Sequence, residues 1–386
     1  MKTRPYGYHE TRARETSVSE EPLRHREHFP FLAMMEVPPG WEAAARRFLE
    51  TDGAVMVLGA PDAGKSTLCR YLIYRAFAAG LPAALIDLDL GQSHLGPPAC
   101  LGLGLFPPRL PGDDSLTADG LYFVGQTSPV GALLEVAVGC RVLADLAARQ
   151  GVRRLVVNTS GFIQGPGALK LKRAQAELLH PSMILGLRSG SELEPLLRGL
   201  GGAAPPRPAP AWAILTLPVS SRARRRGPEE RRLYREERFR RYFAPARRLA
   251  VPWGSLVWEG LPWGQGEPLD PEARRRLEEE LQVPVLYGET RGRRVTVLVS
   301  QPPPAPLRPG EPEEAVHWLS WSGLHLRLLG LLDAGRRTLA LGLILPEPFH
   351  PEDLALWTPL SPEQKAAVRF LKAGPMRVSL EGRELP

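Results

Sequence analysis

The residues best suited to chemistry form one short segment, Gly59-Ala60-Pro61-Asp62-Ala63-Gly64-Lys65-Ser66-Thr67. It fits the pattern G-x-x-x-x-G-K-[ST] and stands between an apolar run at 54–58 and a predicted helix at 65–79. The glycines let successive backbone N–H groups turn toward phosphate oxygens, and the helix N-terminus adds its positive end. Lys65 would reach the β- and γ-phosphates, and the Ser66 hydroxyl would bind Mg²⁺. The segment therefore predicts a site for ATP or GTP without defining the reaction.

Two carboxylates, Asp87 and Asp89, close the next apolar run at 83–88. Residues i and i+2 of a strand point the same way, and the C-terminal edge of a parallel sheet would place both beside the phosphate loop. One could hold Mg²⁺ through water, while the other could accept a proton from an attacking hydroxyl. Water activation in a hydrolytic NTPase would use the same pair, so kinase and ATPase both stay open at this point.

An arginine-rich segment at 222–248 concentrates the positive charge of the chain. It contains twelve Arg against four Glu, an excess of eight, whereas the whole chain has a net charge of +7. At helical spacing, Arg231, Arg235 and Arg238 share one face. Such a helix could close over bound ATP as a lid, or it could grip a nucleic-acid backbone. A solvated helix with Glu–Arg pairs is the alternative, and the phosphate loop favours the lid.

The elements that must position these residues alternate between apolar strands and helices. Strands are predicted at 54–58, 83–88, 121–124, 153–158, 182–187 and 211–217, and helices at 41–50, 65–79, 132–149, 167–179 and 190–198. Continuous apolar strands between helices are typical of a parallel sheet covered on both faces. We therefore expect an α/β, P-loop NTPase-type three-layer domain with a mostly parallel sheet at 35–250, carrying the Arg-rich lid at 222–243. A smaller β-rich C-terminal domain at 251–386 and a partly disordered N-terminal arm at 1–34 complete the expected organisation.

Composition and cysteine usage exclude several classes of protein. Hydrophobic residues at 43% and charged residues at 24% are globular values, which rules out a fibrous or fully disordered chain. The three cysteines are odd in number and widely spaced, so they indicate neither a disulfide framework nor a zinc site. The polar N-terminus and the lack of a long apolar run predict no signal peptide and no membrane partner. We expect a cytoplasmic protein.

Several stretches together resemble the polynucleotide 5′-hydroxyl kinases that act in pre-mRNA 3′-end cleavage, tRNA splicing and pre-ribosomal RNA processing. The similar stretches are GAPDAGKST, DLDLGQSHLGPP, FVGQTSPVG, VVNTSGFIQGPG and ERRLYREERFRRYF, and they cover roughly 54–245. The resemblance implies an ATP- and Mg²⁺-dependent phosphotransferase acting on the 5′-hydroxyl end of RNA or single-stranded DNA. Protein partners are not predicted by it.

The resemblance also implies roles for individual residues. The expected catalytic residues are Lys65, Asp89, Arg231 and Arg235, and the expected metal ligands are Ser66, Asp87 and Asp89. Asp89 would serve as general base for the 5′-hydroxyl, and the two arginines would close on the phosphates. The residues expected to bind substrate are Gln92, Thr127, Thr159 and Phe162. Phe162 stands where the family usually has Trp, so base stacking should survive while an indole N–H contact cannot form.

Two other functions stay open from the residues themselves. One is a nucleotide-binding scaffold of an RNA-processing complex with little turnover, and the intact Lys65 and Asp89 argue against it. The other is a small-molecule P-loop kinase, and the basic excess at 222–248 favours a polymeric anion instead. Tryptophans that could form an RNA-stacking platform are expected in core or interface packing, and they stand at 253, 258, 263, 318 and 321.

Overall fold

A seven-stranded, mostly parallel sheet forms the centre of the first half of the structure. The computed structural model describes residues 37–106, 118–201, 212–264, 266–304 and 316–386. The strands of this sheet are β1 (Gly53–Gly59), β2 (Ala83–Asp87), β3 (Cys100–Phe106), β4 (Gly120–Phe123), β5 (Arg154–Asn158), β6 (Met183–Arg188) and β7 (Ala213–Pro218). They lie in the order β4-β3-β2-β5-β1-β6-β7, so β1 is flanked by β5 and β6. β3 runs antiparallel to β2 and β4, and the other neighbouring pairs are parallel.

Helices cover both faces of this sheet, which confirms the expected three-layer α/β class. They are α1 (Trp41–Glu50), α2 (Lys65–Ala78), α3 (Leu133–Arg149), α4 (Gly165–Leu179) and α5 (Glu194–Gly201). Alternate residues of β1 enter different cores because successive side chains of a strand point to opposite faces. Val55 packs with α1 and α2, whereas Ala54 packs with α3 and α4. Both faces being buried explains why β1 is apolar throughout.

The sequence analysis did not predict strand β3. Its residues read Cys-Leu-Gly-Leu-Gly-Leu-Phe, and two glycines within seven residues are unfavourable for a strand. The structure shows why Gly102 is required, since a Cβ there would lie 2.5 Å from the backbone oxygen of Leu95. The segment after the acidic strand end therefore crosses directly over β3. The close approach of the Leu95 backbone explains why residue 102 is glycine, and this glycine made β3 difficult to recognise as a strand in the sequence.

The second half of the chain is rich in β-structure, as expected. Its strands are β8 (Arg247–Val251), β9 (Val257–Glu259), β10 (Glu267–Pro268), β11 (Val285–Arg291), β12 (Arg294–Val299), β13 (Val316–Ser320), β14 (Arg327–Leu332), β15 (Thr338–Ile344), β16 (Leu354–Thr358), β17 (Phe370–Val378) and β18 (Glu384–Leu385). They form a four-stranded sheet, β10-β11-β12-β13, and a seven-stranded sheet, β18-β17-β14-β15-β16-β8 with β9 beside β17. Among the described residues, this half also contains the helices α7 (Pro271–Leu281), α8 (Trp321–Leu324) and α9 (Pro362–Lys365).

The domain boundary expected at residues 250 and 251 falls within one strand of the structure. Position 250 falls inside β8, which pairs antiparallel with β16 of the second half, so this strand belongs to the C-terminal sheet. The division of the chain into domains otherwise stays a prediction, and the arm at 1–34 lies outside the described residues. Within the residues that the structure describes, no helix has the length and apolarity needed to cross a membrane.

The tryptophans of the C-terminal half belong mainly to its core. The ring of Trp253 lies 4.5 Å from Trp258 and 5.4 Å from Trp263, measured between centroids. These three rings and Trp321 are buried in one cluster, whereas Trp318 is 39% exposed. Packing, and not a stacking platform, accounts for the cluster.

The arginine-rich segment forms helix α6 (Pro228–Phe243), which joins the two halves. Phe239 and Phe243 of α6 are buried in a cluster with strand residues of the C-terminal sheet, including Leu328 and Val378. The hydroxyl of Tyr242 accepts a hydrogen bond of 2.8 Å from the backbone N–H of Leu341. The C-terminal half of the helix is therefore part of a core, and only its N-terminal half lies beside the phosphate loop.

Candidate active site

The phosphate loop connects β1 to α2, and α2 begins at Lys65. Asp62 and Gly64 adopt left-handed backbone conformations with φ of +60° and +88°, which curl the loop over the start of the helix. The Lys65 ammonium donates a 2.8 Å hydrogen bond to the carbonyl of Ala60 across the loop. Burial lowers the pKa of Lys65, although the nearby carboxylates of Asp89 and Asp62 oppose that shift. The loop thus encloses the Lys65 ammonium, which can bind phosphate oxygens instead of the Ala60 carbonyl.

Asp87 lies at the C-terminal end of β2 and is completely enclosed by hydrogen-bond donors. Its Oδ1 accepts from the Asn158 amide at 2.9 Å and from the backbone N–H of Asp89 at 3.1 Å. Its Oδ2 accepts from the backbone N–H of His94 at 2.8 Å and from the Ser93 hydroxyl at 3.3 Å. Burial, with the charge of Asp89 adding to it, raises the pKa of Asp87 to about 6. A cation placed nearby would relieve the cost of this buried charge.

Asn158 is a site residue that the sequence analysis missed. It ends β5, which lies between β1 and β2, and its Nδ2 bridges Asp87 Oδ1 and the Ser66 hydroxyl at 3.2 Å. Its Oδ1 is buried and has no hydrogen-bond partner among the described residues. Ser66 and Asp87 supply hydroxyl and carboxylate oxygens, which are ligands that Mg²⁺ prefers, and the NH₂ group of Asn158 holds both in place. The residues fit the expected ion.

Asp89 and Gln92 lie on the loop that follows β2. Asp89 Oδ1 accepts from the backbone N–H groups of Gly91 at 3.2 Å and Gln92 at 3.0 Å, which fixes the carboxylate. Its Oδ2 has no hydrogen-bond partner among the described residues, and Asp89 lines the cleft above the phosphate loop. The Gln92 side chain donates to the backbone carbonyls of Gly91 and Arg231, and its own oxygen is buried without a partner. A rigid carboxylate with one open oxygen can accept a proton from a bound hydroxyl.

Helix α6 and the turn before it place arginines over the phosphate loop. Arg231 donates to Asp62 Oδ2 at 2.8 Å, and the Arg226 side chain donates to Asp62 Oδ1 at 3.2 Å. Burial opposes the ionisation of Asp62, but the bonds from Arg226 and Arg231 outweigh it and hold the pKa below its ordinary value. The Nε of Arg231 is buried and unpartnered within the described part of the chain. The phosphate loop and the arginine helix are thereby joined by ion pairs.

The outward face of α6 carries the Glu–Arg pairs of a solvated helix, which was the alternative to a lid. Arg232 pairs with Glu229 and Glu236, and both Arg240 and Arg241 pair with Glu237. Apart from the half-buried Glu236, these residues are exposed, and pairs at spacings of three and four residues are worth a few tenths of a kcal/mol each. The inward face is different, because Arg231 and Arg235 line the cleft. One helix therefore carries a solvated salt-bridged face and a face of arginines at the site.

The stretch after β5, residues 159–164, contacts the phosphate loop from the side. A Cβ at Gly161 would lie 2.7 Å from Pro61, so glycine is needed for this close approach. Phe162 lines the cleft, as expected for a residue that stacks on a base. Thr159 does not, because its side chain is fully buried and its hydroxyl donates to the Val57 carbonyl at 2.8 Å. The Thr159 hydroxyl thus holds the stretch to β1, and a role of Thr159 in substrate binding stays a prediction.

A cleft of about 610 Å³ collects most of the expected site residues. Its lining includes Pro61, Asp62, Gly64, Lys65, Ser66, Thr67, Asp89, Gln92, Thr127, Phe162, Arg231 and Arg235. Ala60 lines an adjoining cavity of about 560 Å³ on the β6 side. Gly59, Ala63 and Asp87 lie beneath the surface, where they support the loop and the polar network. The volume is in the range of sites that enclose a nucleotide.

A phosphate loop at the end of a central parallel strand, with acidic and amide side chains ending the neighbouring strands, defines a P-loop nucleotide-binding protein. The family described as mRNA cleavage and polyadenylation factor CLP1 P-loop matches residues 59–245. A Thermococcus kodakarensis protein named polyribonucleotide 5′-hydroxyl-kinase is 30% identical over 86% of this chain and 90% of its own. The chain therefore belongs to the polyribonucleotide 5′-hydroxyl kinase family, which confirms the resemblance drawn from the motifs.

Further relatives extend the similarity along the chain and across organisms. A Pyrococcus horikoshii protein of the same name is 29% identical over 91% of this chain and 93% of its own. The Xenopus laevis protein named polyribonucleotide 5′-hydroxyl-kinase Clp1 is 28% identical over 83% of this chain and 74% of its own. Among solved structures, Clp1p in its complex with Pcf11p has a TM-score of 0.57 at 13% identity, covering 87% of this chain and 78% of that one. That likeness supports the fold.

Proposed function

We propose that this protein is an ATP-dependent kinase that transfers the γ-phosphoryl group of ATP to the 5′-hydroxyl end of RNA. Membership of the polyribonucleotide 5′-hydroxyl kinase family makes phosphotransfer the reaction class. The observation that carries the proposed chemistry is Asp89, whose open carboxylate oxygen lines the same cleft as Lys65 and the α6 arginines. A base, a phosphate cradle and cationic side chains around one cleft are the parts that phosphoryl transfer requires.

The proposed reaction assigns one task to each of these side chains. Asp89 accepts the proton of the 5′-hydroxyl, the oxygen forms a bond to the γ-phosphorus, and the bond to the leaving ADP oxygen breaks. Lys65 and the N–H groups of the phosphate loop hold the β- and γ-phosphates, and Arg231 and Arg235 stabilise the negative charge of the transferring group. Ser66, Asp87 and Asp89 are the residues proposed to hold Mg²⁺, which would supply further neutralisation of the phosphate charge.

The acceptor is proposed to lie across the cleft. Gln92 and Thr127 line this cleft, and Phe162 lines both it and the adjoining cavity. Phe162 offers a ring on which a terminal base can stack, which is worth roughly 1–3 kcal/mol for an exposed base. The arginines of 222–231 give the cleft a positive field that favours a polyanionic acceptor over a small neutral molecule. Single-stranded DNA is the second candidate acceptor because backbone charge and base stacking are common to both polymers.

A cytoplasmic location is proposed on separate grounds. Cys69, Cys100 and Cys140 are all free and buried. Free thiols without disulfides among the described residues are what a reducing compartment maintains.

The test is transfer of label from γ-labelled ATP to matched RNA and DNA oligonucleotides that carry a 5′-hydroxyl. Label should appear at the 5′ end, and Asp89→Asn should lose nearly all of it because the variant keeps the shape of the base without its basicity. Lys65→Ala serves as a second inactive variant, and a 5′-phosphorylated oligonucleotide is the matched acceptor control. ATP hydrolysis without labelled oligonucleotide would refute the proposal, and the RNA/DNA ratio would identify the acceptor.

A further inference from the structure

The guanidinium of Arg235 is bound by a carboxylate from the far end of the sequence. Its Nε and NH2 groups donate to the two oxygens of Glu384, with the NH2 bond at 2.8 Å. Both side chains are 18% exposed, so the pair is shielded from most of the solvent. Paired N–H donors matched to both oxygens of a carboxylate are the strongest and most directional form of this interaction.

Glu384 is itself held against α6 by the short hairpin of β17 and β18. Val378 of β17 pairs with Glu384, and the backbone N–H of Glu384 donates to the Glu236 side chain at 3.3 Å. Gly382 has φ of +89°, and a Cβ there would lie 2.4 Å from the backbone nitrogen of Arg240. The hairpin therefore touches the helix backbone so closely that its turn requires glycine. These contacts fix the carboxylate independently of the arginine that it binds.

Arg235 lies between the part of α6 that is anchored in the core and the part that lines the cleft. One turn further along, Phe239 is fully buried in the core that anchors the helix. The arginine stem passes Gly91, with its Cδ 3.9 Å from the position of a Cβ there, and the side chain lines the cleft together with Asp89. A guanidinium carries five N–H donors, of which Glu384 takes two. The remaining donors are available to a ligand, and the pair limits the rotation of a long and flexible side chain.

We propose that Glu384 is a positioning residue for phosphoryl transfer, which holds the guanidinium of Arg235 so that its free N–H groups face the transferring phosphoryl group. This inference rests on the proposed kinase function. Arg231 differs from Arg235, because its partner Asp62 belongs to the phosphate loop itself. The C-terminal sheet thereby contributes to catalysis through one carboxylate, although none of its described residues lines the cleft.

The experiment compares Glu384→Gln with Glu381→Gln in the full-length protein. Glu381 lies on the same hairpin, is exposed, and bonds to the Ser379 side chain instead of to α6. Glu384→Gln should lower kcat about tenfold or more, since small errors in the placement of a charged group have large effects on rate. KM for ATP and for the oligonucleotide should stay within about twofold, and the loss of kcat should persist at temperatures where thermal unfolding shows the variant to be fully folded, whereas Glu381→Gln keeps the wild-type kcat.

Two further variants separate positioning from a general structural effect. In an Arg235→Ala background, Glu384→Gln should cause no additional loss of kcat, because the two residues act through one guanidinium. Glu384→Asp keeps the charge but shortens the side chain by one CH₂ group, and it should also lower kcat if orientation is what matters.

Three results would overturn the inference. An unchanged kcat in Glu384→Gln would show that the carboxylate has no part in turnover, and an increased kcat would show that it withholds Arg235 from the site. Independent, additive losses in the double variant would place the effect elsewhere. A wild-type protein that transfers no phosphate would instead refute the proposed function, so the two failures are distinguishable.

Discussion

Replacing Asp87 by asparagine should change the free energy of unfolding by an amount that depends on pH. Burial raises the pKa of Asp87 to about 6 from its ordinary value of 3.8. A shift of about 2 units corresponds to about 3 kcal/mol at roughly 1.4 kcal/mol per unit. Because the folded-state pKa is raised, the ionised carboxylate destabilises the fold. This penalty is complete above about pH 6 and disappears as the pH falls toward 4.

The hydrogen bonds around Asp87 act in the opposite direction. Asparagine can keep its oxygen toward Asn158 and Asp89, but its NH₂ group then faces the backbone N–H of His94, which donates to Asp87 Oδ2 at 2.8 Å. Leaving that buried donor unpaired costs about 1–3 kcal/mol at every pH. Ser93 loses little, because its hydroxyl also donates to the Leu95 carbonyl at 2.7 Å. At pH 8 the removal of the charge penalty and the loss of the hydrogen bond therefore nearly cancel in the unfolding free energy of Asp87→Asn. Near pH 4 only the loss of the hydrogen bond remains.

The measurement is urea unfolding of wild type and Asp87→Asn from pH 4 to pH 8, without nucleotide or Mg²⁺. The difference in unfolding free energy should move by about 2–3 kcal/mol in favour of the variant as the pH rises. Burial lowers the pKa of His94 to about 4, and this loss of stability in acid occurs in both proteins and leaves the difference unchanged. Asp145→Asn, which breaks an exposed pair with Arg141, should show a change below about 1 kcal/mol. A difference independent of pH would refute the reasoning.

Three other substitutions test separate parts of the structure. Phe239→Ala should lower the free energy of unfolding by about 3–5 kcal/mol, because it empties a fully buried site under α6; a loss below about 1 kcal/mol in urea unfolding would contradict the anchoring. Lys172→Met should raise Tm more at pH 6 than at pH 9.5. Burial lowers the pKa of Lys172 to about 7, so the buried ammonium destabilises the folded protein below that pH, and this destabilisation decreases as the pH rises. An equal gain in Tm at both pH values would argue against a buried charge at Lys172. Phe162→Ala should raise KM for the oligonucleotide about fivefold or more while KM for ATP stays within about twofold, and equal rises in both would remove the stacking role.

The phosphate loop and its neighbouring elements could be predicted from the sequence because their determinants are local. Within nine residues, the glycines, Lys65 and Ser66 define both the turn and the helix start, and α2 begins at Lys65 as expected. Helix α1 likewise has the predicted bounds of Trp41–Glu50. Six of the seven strands of the first sheet were predicted because each contains a continuous apolar run, which in the central strands reflects burial on both faces.

The features that the sequence analysis missed depend on which strands become neighbours. Asn158 joins Asp87 to Ser66 because β5 is inserted between β2 and β1, an order that no local pattern states. Arg235 and Glu384 are 149 residues apart, and their pairing requires the C-terminal hairpin to reach α6. The burial of Thr159 follows from its bond to Val57 on the adjacent strand. Sequence patterns identified the chemical groups here, while tertiary contacts decided which of them face the cleft.

The anchoring of α6 also bears on how the enzyme forms during synthesis. The first sheet and the phosphate loop are encoded before residue 219, whereas Phe239 and Phe243 are buried by Leu328, Leu341 and Val378. The first sheet and the phosphate loop are thus synthesised well before the C-terminal residues against which α6 packs. Long-range pairing of this kind also slows folding. Helix α6 can therefore take its folded position only after the residues up to Val378 have been synthesised.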